Sequence, residues 1–107
     1  MQRNSNKLVA QHLQAAGGYA QRQWALIAIF YAALHSAQAA LITTHAEDPG
    51  SHRDRKAALK KYYRGNPGYR AYYRLHKRAS SVRYTGYVPP DLSQDWADLQ
   101  AVEQHIV

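Results

Sequence analysis

Residues Trp24 to Thr44, WALIAIFYAALHSAQAALITT, form the longest uncharged run of the chain, and their reading decides the fold. At about 100° per residue, Trp24, Ala28, Tyr31, His35, Gln38 and Ile42 share one narrow stripe. Leu26, Ile29, Phe30, Ala33, Ala37 and Ala40 cover the opposite side, so the helix is apolar almost all round. Such a helix is central in a bundle, shared with a second subunit, or in a membrane. Seven of its residues are alanine, and His35, Ser36 and Gln38 stand near its middle. A histidine and a glutamine at mid-bilayer would need a polar partner or a functional reason. The buried spine of a bundle is therefore the expectation, with no membrane involved.

The rest of the chain is punctuated as helices around that spine. Residues 1–7 are polar and expected to fray. Leu8, Val9 and Leu13, with Ala10 and Ala16, make a short amphipathic helix that Gly17-Gly18 ends. The spine starts near Tyr19 and continues to about Thr44, and Pro49-Gly50 breaks the chain after it. Ser51-His-Arg-Asp54 has the form of a capping box, with Ser51 as N-cap of a helix reaching Tyr63. Gly65-Asn-Pro-Gly68 stops that helix, and a fourth runs from Tyr69 to about Tyr84. Asp91, with Gln94 three residues on, opens a last helix carrying Leu92, Trp96, Leu99, Val102 and Ile106. No period-two alternation supports a strand. The expected fold is all-α: one domain over 1–107, an antiparallel bundle of four or five helices.

Composition narrows the chemistry. Fourteen Lys and Arg stand against seven Asp and Glu, a formal charge of +7, which suits a polyanionic partner or simply a solvated surface. There is no cysteine, so disulfides and thiolate metal sites are excluded. The six histidines lack paired helical spacing with acidic neighbours, so neither metal nor cofactor is expected. No basic segment followed by an apolar stretch and a cleavage site opens the sequence, and a cytoplasmic setting is expected.

Three constellations could carry function. In the fourth helix Arg70, Arg74, Lys77 and Arg78 share a face flanked by Tyr69, Tyr73 and Tyr84, with Tyr72, Leu75, Ala79 and Val82 on the core side. Cations beside aromatic rings suit a flexible RNA strand, whose phosphates meet the charges and whose bases stack on the rings. A solvated face with tyrosines at the bundle edge fits equally well. At the start of the third helix, His52 and Arg55 are neighbours on one face, and Arg53 and Lys56 crowd the same end, with Lys60 one turn beyond Lys56. Cations oppose the helix dipole there, a conflict that a bound phosphate or a carboxylate would relieve. His35, on the spine, is either a satisfied core histidine or, if His52 or Arg55 packs beside it, a base with a lowered pKa.

The succession WALIAIFYAALHSAQAAL, then SHRDR, then YRLHKRASSVRY resembles small prokaryotic proteins of the HEPN type over about residues 20 to 87. The resemblance implies an antiparallel helical bundle that dimerises across its long helices or serves as a subunit of a complex. It also implies a metal-independent ribonuclease, often a toxin of a toxin–antitoxin or defence module, or a non-catalytic nucleic-acid- or protein-binding member. Active members carry an Arg and then a His after about four to six residues, with a polar residue following the Arg. Only Arg70 to His76 has that spacing here, and Ala71 departs from the pattern. What the chain keeps is His35 and the His52/Arg55 pair. A ribonuclease built on them would use His52 as base, Arg55 against the phosphate and His35 as second proton carrier. Arg53, Lys56, Lys60, Arg70, Arg74, Lys77, Arg78, Tyr73 and Tyr84 would then hold the nucleic acid.

Overall fold

The computed structural model describes residues 2–107, with side chains from Ser5 onward. Five helices follow one another: α1 (Gln2–Ala16), α2 (Tyr19–His45), α3 (His52–Tyr63), α4 (Pro67–Thr85) and α5 (Ser93–His105), with no strand among the described residues. The all-α bundle expected from the periodicity is present.

α1 begins well before Leu8, taking in residues expected to fray. Lys7 Nζ lies 2.6 Å from Glu103 on α5, and Trp96 Nε1 donates to Gln14 Oε1 at 2.8 Å. These two contacts put the start of α1 beside the end of α5, so the pair is antiparallel. Gly17 and Gly18 take φ of 74° and 93°, where a side chain would be strained, and they turn the chain from α1 into α2.

α2 is the spine. Leu26, Ile29, Phe30 and Leu41 are fully buried in the core, each contributing about 1.5–3 kcal/mol by burial. By length and composition α2 could cross a membrane, but these side chains are enclosed by the other helices of the same chain. The cover is incomplete. Trp24 and Ile42 are exposed, and Tyr31, His35 and Gln38 between them are only partly buried. The stripe that looked continuous with the core is thus the open side of α2, roofed only in its middle.

The roof is α3, and it departs from the antiparallel pattern. Arg55 meets Gln38 while Tyr63 meets His45, so α3 runs in the same sense as the second half of α2. The connecting loop must double back along α2. Gln38 holds it there, with Nε2 donating to Asp48 Oδ1 at 2.6 Å and to the Pro49 carbonyl at 3.2 Å. Ser51 then caps α3 as expected, its Oγ accepting from the Asp54 backbone N–H at 3.1 Å.

Two helix starts differ from the expected ones. α4 opens at Pro67, not Tyr69, because Asn66 Oδ1 accepts from the Gly68 N–H at 2.7 Å and proline is pre-set for the first helical position. Gly68 is therefore inside a helix, where a Cβ would stand 2.9 Å from Ile106 Cγ1 and 3.0 Å from His105 Cβ. α5 has Leu92 at its N-cap position. Asp91 still supports this end, accepting from the Ser93 N–H at 2.9 Å, but Gln94 turns away to donate to Asp98 Oδ1 at 2.9 Å.

Candidate active site

α2, α3 and α4 meet over Phe30. The Phe30 ring lies 6.1 Å from the His52 ring, 5.7 Å from Tyr72 and 5.4 Å from His76, the last edge-on. His52 and His76 are themselves 5.6 Å apart between ring centroids. Two imidazoles from different helices thus stand side by side on an aromatic floor.

Arg55 is the cation of this site, and it is buried. Its Nε donates to Gln38 Oε1 at 2.8 Å, and one terminal nitrogen lies 3.3 Å from His52 Nδ1. Gln38 therefore uses both ends of its amide, N–H groups toward the loop and oxygen toward the guanidinium, the one orientation that satisfies every partner. No carboxylate pairs with Arg55 among the described residues. The Tyr72 hydroxyl is buried beside the guanidinium without a well-formed hydrogen bond, and its burial pushes its pKa up to about 12.

These surroundings favour the neutral form of His35, His52 and His76. Burial, then the charge of Arg55, holds His35 below the usual imidazole range. Burial, then Arg55 and Arg83, does the same to His52. For His76 the causes are burial, then Lys56, His52 and Arg83. A guanidinium can only donate, so its contact with His52 Nδ1 places the lone pair there and the ring proton on Nε2. That tautomer makes His52 a hydrogen-bond donor at its free nitrogen.

The site opens into a groove of about 360 Å³ whose lining includes Lys56, Tyr73, His76, Lys77, Ser81 and Tyr84. Lys56 Nζ sits 4.9 Å from the centre of the Tyr73 ring. Tyr84 is 82% exposed, so its ring is available to a ligand. Arg53 and Lys60 are exposed on α3 outside this lining.

The basic face of α4 is divided. Arg74 contacts Asp98 at 2.8 Å, and Arg78 spans Asp95 at 2.6 Å and Asp98. Both carboxylates are buried. Burial raises the pKa of Asp98, but the hydrogen bonds from Arg74, Arg78 and Gln94 outweigh it and the net shift is downward. At Asp95 burial prevails over Arg78 and the shift is upward. Arg78, expected to hold nucleic acid, instead fastens α4 to α5, and the charge of Arg74 is largely taken up in the same way. Arg70 donates to the Gly65 carbonyl at 3.0 Å and meets no carboxylate among the described residues. It lines a second groove, with Tyr69, Tyr73 and Arg74, away from His76, so the Arg70–His76 spacing does not bring those two residues together.

His52 lies against Arg55, and His35 is near enough to feel the charge of the same guanidinium. His76, Tyr72 and Phe30 belong with them and were not expected there. His76 lies one helical turn after Tyr72, on the edge of the face already read as core, and that spacing was the available signal. Compared with models of protein families, with curated proteins and with solved structures, the chain finds no match.

Proposed function

We propose that this protein acts on RNA as a metal-independent endoribonuclease, with the neutral His52–His76 pair at its centre. The observation that carries the reading is the 5.6 Å approach of those rings beside cations that no carboxylate neutralises among the described residues. His76 lines the open groove and takes the proton of a ribose 2′-hydroxyl. The 2′-oxygen attacks phosphorus and the bond to the 5′-oxygen breaks, leaving a cyclic phosphate and a 5′-hydroxyl. His52 donates its Nε2 proton in a hydrogen bond to a non-bridging oxygen, as Arg55 holds the tautomer that permits it. Lys56, in the same groove, supplies charge against the developing anion and the proton that the departing oxygen requires. Arg55 is then a positioning residue, set behind His52 and not against the phosphate. His35 feels Arg55 from the other side and has no direct part in the transfer. The resemblance of SHRDR and its flanking helices to HEPN-type proteins points the same way.

The test is cleavage of a labelled RNA in EDTA. Parent protein cuts; His76→Gln loses about 100-fold or more of the rate, while Lys77→Ala mainly weakens binding. Equal rates for His76→Gln and parent would remove the reading. The exposed Tyr73 and Tyr84 beside Lys77 also fit a non-catalytic RNA-binding subunit. That protein would bind RNA in a salt-sensitive manner and show no turnover.

A further inference from the structure

The second groove, of about 400 Å³, lies on α4 between Tyr69, Arg70, Tyr73 and Arg74. Tyr69 and Tyr73 are one helical turn apart, as are Arg70 and Arg74, so the two rings line one side of the opening and the two guanidinium groups the other. Tyr73 is 48% exposed and lines both this groove and the one that holds His76. Neither arginine is loose. Arg74 is held by Asp98 at 2.8 Å and Arg70 by the Gly65 carbonyl at 3.0 Å, so the opening is shaped in advance. Because Arg70 has no carboxylate partner among the described residues, the opening also stays positively charged.

An open groove with tyrosine rings on one side and hydrogen-bonded guanidinium groups on the other suits a flat, hydrogen-bonding ring attached to a phosphate. We propose that it is a nucleobase-stacking subsite. It receives one unpaired base of the RNA strand whose scissile phosphate lies in the neighbouring Lys56–His76 groove. The inference rests on the RNA reading above and deepens it: the substrate is single-stranded at this position, because a base held in a duplex cannot present its face to Tyr73.

The probe is a short oligoadenylate with 2′-O-methyl groups, which binds but has no free 2′-hydroxyl to attack. One nucleotide at a time is made abasic, and affinity is measured at fixed salt. In the parent protein one abasic position weakens binding about tenfold. Tyr73→Leu loses a similar factor with the intact strand and is no longer sensitive at that position, whereas Tyr73→Phe behaves as parent. Circular dichroism checks that the variants are folded. Tyr73→Leu binding as well as parent, an abasic effect of full size in that variant, or no binding of the strand by the parent would each overturn the subsite. The two readings fail separately. If the abasic pattern appears and RNA is not cut in EDTA, the subsite stands and the ribonuclease does not. If RNA is cut and Tyr73→Leu binds as parent, the ribonuclease stands and the subsite does not.

Discussion

Arg55 and Arg78 are both arginines folded into the bundle, and their surroundings could hardly differ more. Arg78 faces the carboxylates of Asp95 and Asp98. Arg55 faces an amide, an imidazole nitrogen and a phenol, all neutral. In the first case the charge is consumed where it stands, and the interaction serves to join α4 to α5. In the second the charge is solvated by dipoles but not cancelled, so its field adds to the burial that already lowers the pKa of His35 and His52. One cluster is cohesion; the other is a tuned environment. Basic residues counted from the sequence as one population are thus two populations with different uses.

The comparison breaks most easily at Asp98. Asp98→Ala removes the shared partner of Arg74 and Arg78 and should cost about 2–3 kcal/mol of stability, because the partly buried Arg78 loses one of its two carboxylates. Urea unfolding measures it, and a loss below 1 kcal/mol would mean the pair is not the fastening described. At the other cluster, Gln38→Ala frees the loop from α2 and leaves Arg55 Nε without its acceptor. A loss of about 2 kcal/mol is expected, and on the proposed ribonuclease reading RNA cleavage slows as well, with a pH profile that traces the change to His52. The smallest effect concerns pH. His35, His52 and His76 have folded pKa values below the unfolded 6.5, so just below pH 6.5 the unfolded chain binds more protons. Their contribution is full above about pH 6.5 and is lost as pH falls through the folded values. The melting temperature should therefore decline by a few degrees between about pH 7 and 5. His76→Gln should flatten the decline. Asp95 works in the opposite sense.

Much of this architecture can be read from local spacing. The uncharged run of α2, the Ser51 cap and the Gly-Pro breaks all depend on residues within a few positions of one another, and these are where the structure agrees with the sequence. The exchange of partners across helices is another matter. A helical wheel places Arg74 and Arg78 on one face but does not say what stands opposite. Here that is α5, 24 and 17 residues further along. A clue was present: Asp95 and Asp98 lie at helical spacing with Leu92, Leu99 and Val102, and a carboxylate on a core face requires a cation. The same limit hid His76. His35, His52 and Arg55 could be grouped because α2 and α3 are joined by a short loop, whereas His76 arrives from a third helix.

The junction between α3 and α4 has a consequence for how the molecule is tied. Tyr63 donates its hydroxyl proton to the Val107 carbonyl at 2.9 Å, and Asn66 Nδ2 donates to the His105 carbonyl at 3.0 Å. Just beyond, the missing side chain of Gly68 lets Ile106 come into contact. The chain from 63 to 107 is therefore a closed ring in the topological sense, leaving and regaining the bundle at one knot of three contacts. α4 and α5 form one hairpin whose two ends meet at those contacts, closed along its length by Arg78 on Asp95 and Asp98.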